Sequence, residues 1–307
     1  MPTQVSPRSP PLVRLRARAE LVAGLAQTWW RRPATPTRVV LDLTRRCNLR
    51  CAMCRTWESP ARAELSAAEI GRVLARMTEL RWLDLTGGEI FVRRDLDEVL
   101  AAVLDATPAV RMLHFQTNGW FRNRVLRAVV MLRARRPELE PIVTVSVDGP
   151  APLHDRIRGR VGSFARAIAT ARALAAVPGV DVHIGTTVTR ANVDALASTW
   201  AALRAELPEL PRTRWHWNAM QISAHFYDNA AHTDQRVDVA APLVEHVRAR
   251  GVPRSLVDAM ESAYLVNLAA VTRGESAQIR CQALRSTLFL APEGDVYPCH
   301  LYDRKLG

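Results

Sequence analysis

The stretch Thr44–Arg55, T-R-R-C-N-L-R-C-A-M-C-R, determines how the rest of this 307-residue chain is interpreted. It places Cys47, Cys51 and Cys54 at the spacing C-x3-C-x2-C. Three thiols so close together suit one metal centre, because disulfides cannot consume an odd number of cysteines. A tetrahedral zinc site would need a fourth ligand nearby. An iron–sulfur cube held by three cysteines instead leaves one iron without a protein ligand.

The composition limits the classes of function. The formal net charge is +12, from 42 basic and 30 acidic residues, and Lys305 is the only lysine. A positive charge of this size is compatible with nucleic-acid or anionic-membrane binding. The arginines are spread over predicted helices, however, and no dense arginine run is interleaved with aromatic residues. We therefore expect no nucleic-acid partner.

The five cysteines and the hydropathy pattern bear on the compartment. An odd number of cysteines, three of them clustered, favours metal binding in a reducing environment over disulfides. We find no uncharged apolar stretch of about 18 residues, the length that a transmembrane helix needs. We expect a cytoplasmic protein.

Strand and helix patterns alternate along the centre of the chain. Such alternation predicts parallel strands joined by right-handed crossover helices. Polar residues and glycines follow most strands, at the end where α/β barrels place their active sites. No G-x-G-x-x-G follows the first strand, which disfavours a dinucleotide-binding sheet. The predicted strands cover residues 38–43, 82–86, 112–116, 142–147, 182–188 and 214–222.

The pattern predicts an α/β fold: a partial (β/α)6 barrel of the TIM type with a small C-terminal β-hairpin. Residues 1–35 form a tail and a helix, with disorder predicted for 1–12 and helix for 13–30. Residues 36–235 form the barrel, 236–274 a helical linker and 275–307 the hairpin segment. Trp29 and Trp30 precede two arginines and could touch a membrane surface, but we favour packing of this helix on its own protein.

Four motifs follow successive predicted strands: the cysteine triplet, G-G-E at 87–89, T-N-G at 117–119 and S-x-D-G at 146–149. In this order they resemble the radical S-adenosylmethionine (SAM) superfamily over about residues 38–192. The resemblance implies that the three cysteines bind a [4Fe–4S] cluster and that SAM chelates the remaining iron. It further implies reductive cleavage of SAM to a 5′-deoxyadenosyl radical, which abstracts hydrogen from a substrate. An electron donor such as flavodoxin or ferredoxin is implied as a partner.

The same resemblance implies a SAM site. Gly87 and Gly88 would let the backbone approach the ligand closely, and Glu89 would accept a hydrogen bond from the SAM ammonium. The family usually has proline at the position of Ile90 and often an aromatic residue at that of Met53, which we expect beside the adenine. Arg158 is the candidate for the SAM carboxylate. The other candidates are Asn118, Ser146, Asp148, Thr187, Val188 and, more weakly, Asn192.

The C-terminal segment resembles the opening of a SPASM or twitch domain, which holds auxiliary iron–sulfur clusters in peptide-modifying members of the superfamily. Cys281 and Cys299 are therefore candidate ligands of an auxiliary cluster, brought together by the hairpin. Two cysteines cannot supply four thiolates. Because the chain stops shortly after Cys299, we expect a truncated extension. The alternatives are a cluster completed by other ligands or with an open site, and a hairpin with two free thiols and no auxiliary cluster.

The extension implies a ribosomally made peptide as substrate. A small-molecule or cofactor precursor is the alternative within the superfamily, and a basic zinc protein that binds nucleic acid is the alternative from another class. The aromatic segment Trp215–Asn229 either closes the barrel or forms a substrate wall, with Gln221, Ser223 and His225 as candidates. No catalytic residue is assigned to it.

Overall fold

A computed structural model describes residues 11–59, 63–139, 141–277 and 279–307. Disorder is predicted for residues 1–12, of which 1–10 lie outside the described residues. Residues 11 and 12 are instead helical, since proline is compatible with the first turn of a helix. The helices are α1 (Pro11–Gln27), α2 (Ala67–Ala75), α3 (Leu96–Ala106), α4 (Arg122–Arg135), α5 (Ala151–Arg158), α6 (Ser163–Ala175), α7 (Leu196–Glu206), α8 (Ala240–Arg250) and α9 (Leu256–Thr272). The strands are β1 (Arg38–Asp42), β2 (Trp82–Thr86), β3 (Met112–Thr117), β4 (Ile142–Ser146), β5 (Asp181–Val188), β6 (Trp215–Ala219), β7 (Thr287–Leu290) and β8 (Val296–Tyr297).

The strands form one sheet in the order β6-β5-β4-β3-β2-β1-β7-β8. Every pair from β6 to β7 is parallel, and only β7 and β8 run antiparallel. The sheet does not close, because β6 and β8 are its two edges. The prediction of a partial α/β barrel with a C-terminal hairpin is confirmed. The hairpin also extends the barrel sheet, because Val39 of β1 pairs with Leu288 of β7.

Alternation along the strands separates two environments. One face carries the apolar side chains that pack under the helices, among them Leu41, Leu83, Phe115 and Val145, each at most 1% exposed. The opposite face lines the barrel interior and is polar. Its side chains include Asp84, Thr86, His114, Gln116, Thr144 and Ser146. Since successive side chains on a strand point to opposite faces, both environments follow from one period-2 pattern.

Helix ends differ from the predictions where local signals compete. α2 begins with the predicted capping box of Ser66 and Glu69 but ends at Ala75, because the chain then turns toward β2. The predicted helix over 13–30 ends at Gln27, two residues before Trp29. The sequence analysis missed α5, although Gly159 ends that helix in the left-handed conformation that favours glycine.

The loop after β6, residues 220–229, crosses the open side of the sheet. Phe226 packs against Phe289 of β7, with ring centroids 5.3 Å apart. Asn229 is fully buried and donates from Nδ2 to the carbonyl of Met53 at 2.9 Å. The loop therefore connects β6 and β7 to the cysteine loop, as the closure alternative for this segment predicted.

The N-terminal helix packs on the barrel through Leu21, which is buried, and through an ion pair between Glu20 and Arg111. Trp29 and Trp30 are largely exposed after it. In the part of the chain that the structure describes, no helix is long and apolar enough to cross a membrane.

Candidate cofactor site at the carboxyl ends of the strands

The cysteine loop follows β1 and is anchored by the end of α5. The backbone N–H groups of Arg50 and Ala52 donate to the carbonyls of Arg158 and Ile157, at 3.2 and 2.9 Å. Cys51 is buried, whereas Cys47 and Cys54 are half-buried. All three are free thiols. The loop thus holds the three sulfurs at the carboxyl ends of the strands, where barrel enzymes place their active sites.

The two glycines after β2 pack directly beneath the cysteine loop. Gly88 N–H donates to the carbonyl of Thr44 at 2.7 Å, and Glu89 N–H to that of Arg46 at 2.9 Å. A Cβ atom at Gly88 would lie 2.4 Å from the Arg46 carbonyl oxygen. Gly87 has φ +141°, and a Cβ there would lie 2.5 Å from the Thr44 oxygen. The glycines are therefore required by backbone packing within the protein, and both also line the cavity below.

Glu89 joins the ends of β2 and β3. Its carboxylate accepts hydrogen bonds from the Asn118 N–H at 2.7 Å, the Phe91 N–H at 3.3 Å and the Thr117 hydroxyl at 3.1 Å. Burial raises the pKa of Glu89 to about 7, because the cost of burying the charge outweighs the hydrogen bonds, which lower the pKa. Glu89 is not among the residues that line the cavity described below. Its contact with the SAM ammonium stays a prediction.

A second anchored carboxylate lies at the ends of β4 and β5. Asp148 is fully buried; it accepts from Arg158 Nε at 2.5 Å and from the Thr187 N–H at 3.0 Å. Asn192 Nδ2 donates to the carbonyls of Asp148 and Thr187. Arg158 in turn directs Nη1 toward Cys51 Sγ, 3.7 Å away. Asp148 and Asn192 therefore position Arg158 and Thr187.

A cavity lies between the cysteine loop and the barrel interior. Glu89, Asp148 and Val188 do not line it. Val188 packs in the core, and its carbonyl accepts the Met220 N–H at 3.1 Å. Ser223 and His225 also lie outside the cavity wall. The predicted residues that do line the cavity are Cys47, Cys51, Met53, Cys54, Gly87, Gly88, Asn118, Ser146, Arg158, Thr187 and Gln221.

The cavity wall contains polar residues that the sequence analysis missed. Four of them, Gln116, Thr144, His216 and Asn218, stand at inward positions of the strands, where a polar residue at every second position was the available signal; Tyr227 lies in the loop after β6. His216 binds Glu261 of α9 through Nδ1 and Oε1, 2.5 Å apart, and Asn218 accepts from the Tyr264 hydroxyl at 2.6 Å. Helix α9 thus supports the β6 side of the cavity. The missed lining residues include Gln116, Thr144, His216, Asn218 and Tyr227.

The contact between His216 and Glu261 places a carboxylate behind the β6 side of this wall. Burial alone would raise the pKa of Glu261, but His216 holds it below the ordinary value. The Glu261 carboxylate therefore stays ionised beside the imidazole. A carboxylate that accepts from one ring nitrogen fixes the ring orientation and tautomer. The contact with Glu261 thus fixes how the His216 ring stands in the cavity wall.

The three thiols fit an iron–sulfur cluster. Burial raises the pKa of Cys47 to about 12 and that of Cys51 to about 11, so both favour the neutral form unless a cation draws off the proton. Within the described ranges, no group of three or more His, Cys, Asp or Glu residues converges on a point where one metal ion could bind. Thiolates that hold a cube bind separate irons and need not converge.

The second cysteine group is less enclosed. Cys281 is exposed, and Cys299 is half-buried, with its sulfur accepting the Leu301 N–H at 3.4 Å. His225 contacts the Cys299 carbonyl through Nε2 at 3.1 Å and the Asp303 carboxylate through Nδ1. His225 thus holds the C-terminal segment against the loop after β6. An auxiliary cluster at these cysteines stays a prediction.

The sequence model of the radical SAM superfamily matches residues 41–197, just over half of the chain. The chain belongs to the radical SAM superfamily. Members of this superfamily are enzymes that use a [4Fe–4S] cluster and SAM, and the matched residues contain the cysteine triplet, the glycine pair and Arg158. The resemblance inferred from the motifs is confirmed.

Two relatives illustrate the range of the match. The antilisterial bacteriocin subtilosin biosynthesis protein AlbA of Bacillus subtilis is 25% identical over 276 residues, 89% of this chain and 56% of AlbA. The pre-heme d1 synthase of Dinoroseobacter shibae is 32% identical over 183 residues, 57% of this chain and 40% of the synthase. The chain therefore spans about half the length of these curated relatives.

SuiB of Streptococcus suis has a similar fold. Its structure bound to SAM has a TM-score of 0.64 and 15% identity, and the match covers 95% of this chain and 67% of SuiB. Its structure bound to the precursor peptide SuiA has a TM-score of 0.61 and 15% identity, with 97% and 68% covered. At this identity, the likeness concerns the fold.

Proposed function

We propose that this protein cleaves SAM reductively at a [4Fe–4S] cluster and uses the resulting radical to abstract hydrogen from a peptide. One observation carries the proposal. The cysteine triplet, the glycine pair after β2 and Arg158, which Asp148 holds in place, line one cavity. No two of these groups are adjacent in sequence, so their convergence supports one shared site.

The chain's own residues would hold both cofactors. Cys47, Cys51 and Cys54 would bind three irons, and the bound cluster with SAM supplies a 5′-deoxyadenosyl radical. Arg158, held by Asp148, offers a buried cation for a carboxylate in the cavity. The main-chain groups beside Met53 and Thr187 offer an edge for adenine. The half-buried position of Cys47 and Cys54 leaves the loop close enough to the surface to receive electrons from flavodoxin or ferredoxin.

The peptide substrate is supported by how far the relatives match. AlbA, whose name assigns it to bacteriocin biosynthesis, matches 89% of this chain, whereas the pre-heme d1 synthase matches 57%. The longer match leaves out little of the chain, and SuiB binds its precursor peptide on a similar fold. The cavity wall from β6, with His216 and Asn218, would face the substrate.

SAM cleavage is the direct test. The protein is reconstituted anaerobically with iron and sulfide, reduced with dithionite and assayed for 5′-deoxyadenosine by chromatography. We expect product from the wild type and none from Cys51→Ala, while Cys281→Ala, whose thiol is exposed outside the cavity, keeps the activity. Equal yields from wild type and Cys51→Ala would refute the proposed function.

The substrate class needs a second assay. Candidate precursor peptides encoded beside the gene are added to the reconstituted enzyme with SAM, and the peptide mass is followed. A mass change that requires both SAM and Cys51 supports a peptide substrate. Abundant 5′-deoxyadenosine with every neighbouring peptide unchanged would point to a small-molecule substrate instead.

A further inference from the structure

Trp120, directly after β3, connects the cysteine loop to the protein surface. Its ring packs against the apolar cluster of Leu49, Cys51 and Met53 beneath the loop. On the outside, the guanidinium of Arg160 lies 3.6 Å from the ring centroid and that of Arg166 4.2 Å. One half-buried side chain thus contacts both the apolar cluster that contains Cys51 and two exposed cations.

Arg50 extends this positive surface along the cysteine loop. Its carbonyl oxygen lies 2.5 Å from where a Cβ atom of Gly159 would stand, so the loop and the end of α5 are in direct contact. Arg160 Nη1 donates to the Asn48 carbonyl at 3.2 Å, which ties it to the same loop. We call Arg50, Trp120, Arg160 and Arg166 the tryptophan–arginine face.

The charges of this face lack acidic partners. Among the residues that the structure describes, none of the ion pairs includes Arg50, Arg160 or Arg166. Asp155, an acid in the same region, is occupied by the N–H groups of Gly162 and Phe164 and the hydroxyl of Ser163. Many other arginines of this chain are paired with a carboxylate, as Arg46 is with Glu64. The face therefore concentrates uncompensated positive charge where the chain covers its cysteines.

We propose that the tryptophan–arginine face docks an acidic electron-carrier protein. The proposal rests on the proposed function, because it supplies the reductant for that site. One electron would pass from the reduced carrier to the oxidised cluster, so the carrier loses one electron as the cluster gains one, and no bond forms or breaks in the chain. Complementary charge steers such transient encounters and speeds association.

A protein carrier fits the face better than nucleic acid does. Nucleic-acid sites follow the phosphate backbone with a row of cations and stack successive bases on several aromatic side chains. Here one ring is already covered by two guanidinium groups, so it offers no free face for a base. The contact of Trp120 with the cysteine-loop cluster also places the docked partner near the group that it would reduce.

Binding of oxidised flavodoxin, an acidic carrier, tests the face without turnover. Its affinity for the reconstituted enzyme is measured by calorimetry from about 20 to about 300 mM salt, the range over which screening of surface charges becomes strong. We expect Arg160→Glu/Arg166→Glu to weaken binding about tenfold or more at low salt. The difference should shrink as salt is added.

The control variant is Arg72→Glu/Arg248→Glu, which reverses two exposed arginines on α2 and α8. Each double variant changes the net charge from +12 by two reversals of −2 each, to +8. Binding by this control should stay within about twofold of wild type. Equal loss in both double variants would show an effect of net charge alone and overturn the proposal.

A second measurement separates this proposal from the proposed function. Iron content and dithionite-driven SAM cleavage should be unchanged in Arg166→Glu, whose guanidinium lies over the exposed side of the Trp120 ring. Reduction of the cluster by reduced flavodoxin should slow about tenfold in this variant. Failure of wild type to cleave SAM with dithionite would refute the proposed function. Normal cleavage with dithionite, together with unaltered flavodoxin binding and reduction in both face variants, would refute the docking face.

Discussion

Gly88 shows how a single residue links two motifs. Its missing side chain lets the turn after β2 lie against the Arg46 carbonyl, 2.4 Å from where a Cβ would stand. We expect Gly88→Ala to lower the free energy of unfolding by about 2 kcal/mol or more, because backbone must move to admit the methyl group. Iron binding should fall with it, since the cysteine loop is what moves.

A matched control is Gly71→Ala on α2. The added methyl there meets Ala102 at an ordinary 3.6 Å, and alanine favours helix, so stability should rise by about 0.5–1 kcal/mol. Both variants are compared by chemical denaturation and iron analysis. Full iron loading and wild-type stability in Gly88→Ala would contradict the packing argument.

Asp84 in the barrel interior makes stability depend on acid pH. Burial would raise its pKa, but Arg38 and His114 hold it at about 2. The Asp84 carboxylate lies 2.7 Å from Arg38 Nε and 3.0 Å from His114 Nδ1. A depressed pKa stabilises the fold above the unfolded value of about 3.9, and that contribution disappears as pH falls toward 2.

Asp84→Asn should therefore lower the free energy of unfolding by roughly 2 kcal/mol at pH 6 and hardly change it near pH 2. Urea denaturation of both proteins across this range measures the difference. Arg135→Ala, which removes an exposed ion pair with Asp105, serves as the control and should change stability little at any of these pH values. A constant deficit for Asp84→Asn at every pH would contradict the assigned cause.

At the scale of elements, the loop over residues 220–229 depends on one amide. Asn229 donates to the carbonyls of Met53 and Gln221 and accepts the Ser223 N–H. Asn229→Ala leaves buried polar groups without partners, so we expect the free energy of unfolding to fall by about 3 kcal/mol. Hydrogen exchange should increase in the loop and in the cysteine loop together, because the amide joins them.

Ser59→Ala is the comparison for this loop. It removes an exposed hydrogen bond from Ser59 to Asp228 in the same region. We expect the free energy of unfolding to fall by less than about 0.5 kcal/mol. If hydrogen exchange in Asn229→Ala increased only in residues 220–229, the two loops would move independently and the prediction would be wrong.

At the scale of the whole molecule, cluster assembly should stabilise the fold. A group that binds only the folded state adds stability, about 2.7 kcal/mol at a hundredfold excess over its Kd. Anaerobic reconstitution should therefore raise Tm by several degrees, and a chelator should reverse the rise. The Cys47→Ser/Cys51→Ser/Cys54→Ser variant should show no change. An identical Tm for reconstituted and chelated wild type would contradict the assigned ligands.

Much of the site followed from residue order. The cysteine spacing and G-G-E pointed to the candidate cluster ligands and the glycine pair, because both motifs depend on positions close together in sequence. Strand alternation also predicted the barrel. It did not reveal His216 or Asn218 as cavity residues, because their inward direction matters only once β6 lies beside β5 and α9 supplies Glu261 and Tyr264.

The α/β alternation, the cysteine triplet and the superfamily can all be read from the sequence, since each is a local pattern of period or spacing. Three contacts become visible only in the folded chain: the C-terminal hairpin pairs with β1, Asn229 holds the cysteine loop, and the guanidinium groups of Arg160 and Arg166 lie over the Trp120 ring. These contacts unite residues up to about 250 positions apart, such as Arg38 and Thr287. Packing of the whole chain sets such distances, and no local pattern encodes them.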